Sequence, residues 1–241
     1  MKKEEYQLMA DQQQWHWWYQ TKRRYLDQLL RRLDLPPKAK ILDLGSGVGA
    51  NFPLLRRFGS VSGAEYSKEG RELTRRYHPE AVVAADLNTF SPKKNEYDLI
   101  TILDVLYHQN IKSDEAVLKK AVTGLKNGGY LVVTDCAHPW LFGPHDVSNM
   151  ARQRYRKSEL EQKVSQSGCK ILRSSYLFGF SFPLFAGTRL FQRWKGISND
   201  AESQNDWLNW LLTQVGGLEA KIFRYLNIPL GSSIVVLAQK V

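Results

Sequence analysis

Three glycines set two residues apart, Gly45, Gly47 and Gly49, follow the apolar run Ile41 to Leu44, and an acid, Asp43, stands two places before the first. Glycine accepts positive φ and lets a ligand approach the backbone without a Cβ in the way. Ser46 lies inside the turn, and residues 50 to 58 continue with helix-compatible composition. The stretch therefore predicts a strand, a tight turn and a helix whose N-terminal N–H groups and positive dipole end face the ligand. A phosphate-binding loop has little use for Asp43; a cationic ligand does. Further acids, Glu65, Asp86 and Asp104, fall at or near the ends of later apolar runs. In a parallel α/β sheet, ligands bind at the carboxyl ends of the strands, where Glu65 can accept both hydroxyls of a ribose and Asp86 can meet an adenine amino group. Four acids around one glycine loop suit a ligand with an amino group and a sulfonium, and they repel a pyrophosphate.

The elements that must position these residues follow from periodicity. Residues 4 to 34 read as one helix with an apolar stripe through Tyr6, Met9, Trp17, Tyr25, Leu26, Leu29, Leu30 and Leu33, stopped by Pro36 and Pro37. Within it, Trp15 to Tyr19 (W-H-W-W-Y) is aromatic on too many sides for a surface helix, which leaves two readings: a helix packed under other elements, or a lid over the ligand site. Strands are expected at Lys40 to Leu44, Val61 to Glu65, Ala81 to Ala85, Tyr97 to Leu103, Tyr130 to Thr134, Cys169 to Leu177 and Ser232 to Gln239. Helices are expected from the glycine loop to about Arg57, after the N-cap Ser67 to Tyr77, from Ser113 to about Leu125, where Asn127, Gly128 and Gly129 stop it, and from Ser158 to before Gly168. Residues 138 to 149 read as a loop rich in histidine, proline and glycine. The alternation predicts an α/β fold: a Rossmann-like, doubly wound, seven-stranded sheet, mostly parallel, with a helical insertion before the last strand. Residues 1–37 would form an N-terminal helical lid and residues 38–241 the main domain.

The insertion, Phe178 to Leu230, is two apolar, helix-compatible halves around a polar break at Gly196 to Asp206, with tryptophan and arginine at their edges. A hairpin between adjacent strands needs only a few residues, so the piece serves something further. Covering the sheet or forming a homodimer is the first reading, a cap over the substrate the second, and shallow membrane contact the third.

The formal net charge of +10 is dispersed over small clusters such as Lys22 to Arg24 and Arg152 to Lys157, without a basic tail or an RNA-binding signature. This disfavours nucleic acid and favours an acidic small molecule or an anionic lipid surface. The two cysteines, Cys136 and Cys169, form no disulfide framework or zinc pattern, and no carboxylate and histidine spacing suggests a metal. With no signal-peptide core near the start and no run of 18 apolar residues, a cytoplasmic setting is expected, at most peripheral to a membrane.

Five pieces carry a family likeness: I-L-D-L-G-S-G-V-G, S-G-A-E-Y-S, A-A-D-L, Y-D-L-I-T-I-L-D-V-L-Y-H and L-K-N-G-G-Y-L-V-V-T-D, in order over roughly residues 38 to 136. In them the chain resembles a class I S-adenosylmethionine-dependent methyltransferase, of the broad type 11 methyltransferase group. The H-W-W-Y near the start, the arginine-rich helix after it, and Pro139 to Leu141, His145, Asp146 and Arg152 to Tyr155 resemble that group too. The resemblance implies that Gly45, Ser46, Gly47 and Gly49 lie against the methionine part of S-adenosyl-L-methionine, with Asp43 at its amino group. It places Glu65 and Tyr66 at the ribose, Asp86 and Leu87 at the adenine, and Leu103 to Val105 beside the sulfonium. Tyr107 and His108 stand where the group more often has Glu-His, so any role of that acid is absent here.

Methyl transfer is an in-line displacement, for which positioning can supply the whole catalysis. Where a proton must leave the acceptor, the candidate bases are His145, His108, His138 and His16, with Asp146 or Asp135 as orienting partners. His145 leads because it lies in the loop after the fifth strand. Asp104 is either catalytic or a cap for a following helix. His16, Trp17, Tyr19, Arg23 and His138, with Arg24, could close over cofactor or substrate. The expected function is methylation of an oxygen or nitrogen of a small, hydrophobic or lipid-linked acceptor; the alternative is a non-catalytic S-adenosylmethionine-binding or scaffold protein. A NAD-type oxidoreductase is disfavoured, because G-x-G-x-G replaces G-x-G-x-x-G and Asp43 precedes it.

Overall fold

The strands are β1 (Ala39–Leu44), β2 (Gly59–Glu65), β3 (Val82–Ala84), β4 (Tyr97–Leu103), β5 (Leu125–Cys136), β6 (Cys169–Leu177) and β7 (Ser233–Lys240). They come from a computed structural model that describes residues 3–78, 81–195 and 205–241. They hydrogen-bond in the order β3-β2-β1-β4-β5-β7-β6. All pairings are parallel except those of β7, which runs antiparallel to both β5 and β6. Strand order reverses between β1 and β4, so a crevice opens there above the strand ends.

The helices are α1 (Lys3–Gln12), α2 (Trp17–Leu30), α3 (Phe52–Leu55), α4 (Lys68–Tyr77), α5 (Asp114–Gly124), α6 (Pro144–Ser148), α7 (Lys157–Gln166), α8 (Phe182–Lys195) and α9 (Asp206–Phe223), with a 3-10 turn at Pro139–Leu141. Because successive strand residues point to opposite faces, β4 sends Ile100 and Ile102 one way and Leu99 and Leu103 the other. The first face is closed by α5 and α7 through Leu118, Ala121, Leu160 and Val164. The second is closed by α2 and α9 through Tyr25, Leu26, Leu29, Leu30, Ala220 and Phe223. Each such fully buried large side chain is worth roughly 1.5–3 kcal/mol relative to exposure. The insertion's second helix is thus a core layer.

The single helix expected over residues 4–34 is two. His16 ends the first segment by capping the second: its Nδ1 accepts from the Trp18 N–H at 3.3 Å. The break is held from the insertion, since the Asn209 side chain accepts from the Trp17 N–H at 2.8 Å and donates to the Trp15 carbonyl at 3.1 Å. The aromatic run finds its partner in Phe178, on which Trp18 stacks at 5.8 Å and Trp17 and Tyr25 meet edge-on. Within residues 1–37, α2 packs into the core through Tyr25, Leu26, Leu29 and Leu30 while its first turns line the crevice, and α1 lies over the crevice against α4.

Other boundaries shift for local reasons. The helix after the glycine loop is one turn, so it offers the ligand little dipole. β5 starts at Leu125, directly after α5, and Asn127 to Gly129 loop out within the strand, where its register with β4 slips. The loop at 138–149 holds the 3-10 turn and α6. α7 starts at Lys157 behind Arg156, not at a Ser158 cap. The polar break of the insertion lies largely outside the described residues.

Candidate functional site

Over the carboxyl ends of β1, β2, β4 and β5 lies a cleft of about 1590 Å³. At one end is the glycine loop. Gly45 has φ +74°, and a Cβ on it would lie 2.5 Å from Val105. The loop amides point inward: Gly45 N–H donates to the Ala64 carbonyl at 2.7 Å, Gly47 N–H to Glu65 Oε2 at 2.8 Å, and Gly49 N–H to the Ser46 carbonyl at 2.9 Å. Amides spent in this way do not cradle a phosphate. Gly49 is not a lining residue; a Cβ there would meet Thr74 at 3.0 Å, so it shapes the turn against α4.

Carboxylates dominate this end. Asp43, 1% exposed, accepts the Thr101 hydroxyl at 2.6 Å, and burial pushes its pKa up to about 7. Glu65 Oε1 accepts from the Ser67 N–H at 2.8 Å and from the Tyr6 hydroxyl of α1 at 3.4 Å. Asp86 Oδ1 accepts from the Asn88 backbone and side-chain amides at 2.9 and 2.8 Å. Ser46, Gly47, Tyr66, Leu87 and Leu103 complete the wall, with Met9 of α1 above Gly47.

Lys22 is the residue that sequence reasoning missed. It reads as part of a surface cluster, yet it follows Trp18 by one turn and precedes Leu26 by another, and so shares their buried stripe. It is 5% exposed, ion-paired with Asp104, and its Nζ lies 4.9 Å from the Trp18 ring centre. Burial pulls its ammonium down to about 8, against the pull of Cys136, Asp135 and Asp43. Asp104 caps no helix. It stands in a turn after β4 with φ +57°, and its Oδ1 accepts the Thr134 hydroxyl at 3.1 Å. A non-glycine residue held there is the kind of strain that surrounding structure sustains at functional sites. This set fits an adenosyl amino acid: acids for its ammonium, ribose and adenine, and the buried Lys22 for its carboxylate.

The cleft's other end is walled by α6, α8 and α9 through His145, Leu184, Phe185, Thr188 and Leu212. His145 is exposed, and its Nε2 lies 2.9 Å from the Asn149 side-chain amide. Asp146 does not orient it: that carboxylate binds Arg154 at 2.9 Å and the Gly143 N–H at 2.8 Å. Asp135, pushed by burial up to about 7, accepts from the backbone N–H groups of Tyr107 and Cys136 and serves no histidine either. His108 Nδ1 accepts from the Asn110 N–H at 3.1 Å, and burial lowers its pKa to about 4, so it is neutral near pH 7. His16, Trp17 and Tyr19 line the cleft. His138 and Arg23 do not: His138 stacks on Tyr176 at 5.1 Å, and Arg23 stays on α2 outside the lining. Arg24 ties α2 to α9 through the Thr213 carbonyl at 2.6 Å. Among the described residues, no group of three or more His, Cys, Asp or Glu is arranged to hold a metal ion.

A family model described as a methyltransferase domain matches residues 17–203. No curated protein matches the chain in sequence. Among solved structures, a chain from a complex with the Haloferax volcanii Trm112 methyltransferase activator is similar with a TM-score of 0.62 at 15% identity, over 98% of this chain and 93% of that one. Haemonchus contortus phosphoethanolamine N-methyltransferase 2, solved with S-adenosyl-L-methionine, is similar at 0.59 and 19% identity, over 90% of this chain and 52% of its own. The [4+2]-cyclase SpnF is similar at 0.58 and 14% identity, over 90% and 81%. At these identities the likeness is one of fold.

Proposed function

The chain belongs to the methyltransferase-domain family, which draws its methyl group from S-adenosylmethionine, and from that premise we propose that it methylates an oxygen or nitrogen of a small, hydrophobic or lipid-linked acceptor. One observation carries the reading: a single cleft joins the acidic end at Asp43, Glu65 and Asp86 to the apolar wall of Leu184, Phe185 and Leu212. Bound S-adenosylmethionine supplies an electrophilic methyl on a sulfonium. The protein's part is to hold two reactants in line and keep water out, an arrangement that alone can remove roughly 7–11 kcal/mol of a bimolecular barrier. Asp43 and Lys22 bind the two charged ends of the amino acid, Glu65 the ribose, and Asp86 with Leu87 the base. Asp104, fixed by Lys22 and Thr134, sets the backbone between cofactor and acceptor. His145 is the histidine best placed to take a proton from an acceptor at the apolar end.

Calorimetric titration with S-adenosylhomocysteine, with NAD as control, tests the cofactor half. Micromolar binding that Asp43→Ala or Glu65→Ala abolishes supports it; a folded protein that binds nothing overturns it. The acceptor half is tested by labelled methyl transfer to matched apolar and polar acceptors in wild type and Leu184→Ser. Deleting residues 178–230 is not a usable variant, because Ala220 and Phe223 are core. A KM raised for the apolar acceptors alone is the expected result. The second reading is a non-catalytic S-adenosylmethionine-binding or scaffold protein. Intact S-adenosylhomocysteine binding with no turnover on any acceptor would select it.

A further inference from the structure

α8 is apolar on both faces. Phe182, Ala186 and the stem of Arg189 point inward and are at most 9% exposed, while Leu184, Leu190, Phe191 and Trp194 on the outer face are 53–76% exposed. α9 repeats the division, burying Ala220 and Phe223 and leaving Trp207, Trp210 and Leu218 56–65% exposed. Among the described residues, eleven of the nineteen exposed large apolar side chains lie between Phe180 and Leu230, seven of them on α8 and α9 and four beside their ends, so the bareness is concentrated in this insertion rather than spread over the surface at large. A helix apolar all round belongs in a core or against lipid, and isolated tryptophans in water do not account for such a concentration.

Two occupants suit such a face, a second copy of the chain or a lipid surface, and charge separates them. Every copy carries +10, which opposes self-association and favours an anionic surface. Cations also border the aromatics: Lys195 Nζ lies 4.8 Å from the Trp194 ring centre, and the Arg224 guanidinium 5.6 Å from that of Tyr225. Aromatic rings beside lysine and arginine are what the headgroup boundary holds. The sequence between the helices carries Asp200 and Glu202, so the attraction comes from the molecule's net charge while the helices supply the apolar contact. No described helix is long and apolar enough to cross a membrane, so contact would be shallow.

We propose that α8 and α9 rest their outer faces on an anionic lipid surface, with the mouth of the cleft, edged by Leu184 and Leu212, opening beside it. Docking stands on the exposed faces alone; that it serves to draw a lipid-linked acceptor into the cleft rests on the methyltransferase reading. The test is co-sedimentation of the full chain with vesicles of phosphatidylcholine alone and of phosphatidylcholine with phosphatidylglycerol, at low and high salt. A variant carrying Phe191→Ser, Trp194→Ser and Trp210→Ser, none of which lines the cleft, is run beside wild type. Wild type should partition at least about tenfold more strongly onto the anionic vesicles, less so in high salt, and the variant should lose this while binding S-adenosylhomocysteine unchanged. Wild type staying in solution with both vesicles, or a variant sedimenting like wild type, overturns the proposal. So does a wild-type dimer that the variant converts to monomer without any vesicle binding. Because sedimentation requires no turnover, its failure is separate from any failure of the methyltransferase reading.

Discussion

Asp43 is held at 1% exposure beneath the glycine loop, with the Thr101 hydroxyl on one oxygen, Glu65 adding negative potential and Lys22 opposing it. Burial is the largest influence and raises its pKa from 3.8 to about 7. The folded protein therefore binds a proton that the unfolded chain releases between those values, and stability falls as pH rises through the interval. Lys22, lowered to about 8, titrates above the window, and Asp135, raised like Asp43, is present in any variant of Asp43. An Asp43→Asn variant cannot make the transition. The melting temperature of wild type minus that of Asp43→Asn, measured by calorimetry, should drop between about pH 5 and 7 and level off above. A difference that does not move with pH would mean that the carboxylate stays ionised in the fold. Asp43 and Glu65 are legible in the sequence because one stands just before the glycine loop and the other ends the next strand, where topology alone puts them at the crevice. Lys22 is not, because its burial depends on how α2 turns against β4 and β5, and a lysine beside two arginines looks solvated until that packing is known.

Glycines within the two inserted helices show how far an element's own preferences reach. Gly187 in α8 has open space around it, whereas a Cβ on Gly216 in α9 would run into Thr21 of α2. The same change to alanine should thus have opposite signs. Gly187→Ala stabilises by roughly 0.5–1 kcal/mol through helix propensity. Gly216→Ala gains that propensity but forces apart a helix contact, for a net loss of about 1–2 kcal/mol. In thermal melts these are shifts of roughly +1 to +4 °C and −2 to −8 °C; two shifts of like sign would mean that α2 and α9 do not approach as described. The strands β4 and β6 begin and end where the sequence places them: β4 is marked by burial on both faces, and β6, an edge strand with exposed positions, by Gly168 before it and Gly179 after it. The division of residues 4–34 into α1 and α2 was beyond reach, because a histidine cap and an asparagine 192 residues away make it.

Across the whole molecule, the cleft is bounded by α1, by α2 from one core layer, by the ends of the central strands and by the inserted helices, so its lining draws on segments from Tyr6 to Ser233. Binding to such a site stabilises the folded chain as a unit, by about 2.7 kcal/mol when free ligand is 100 times its Kd. Unfolding entropy of roughly 2.1 cal/mol/K per residue amounts to about 0.5 kcal/mol/K for this chain, so S-adenosylhomocysteine at that excess should raise the melting temperature by about 5 °C. NAD should raise it little. The glycine-loop amides that would meet a pyrophosphate are bonded to Ala64, Glu65 and Ser46, and the carboxylates of Asp43, Glu65 and Asp86 repel its charge. An equal rise with both ligands in differential scanning fluorimetry would mean that the adenosine half alone is recognised, and that the acids below the loop do not read the amino-acid half of the ligand. A rise with S-adenosylhomocysteine that shrinks to near nothing in Lys22→Met, while the variant alone melts within a few degrees of wild type, would place the buried lysine at that half.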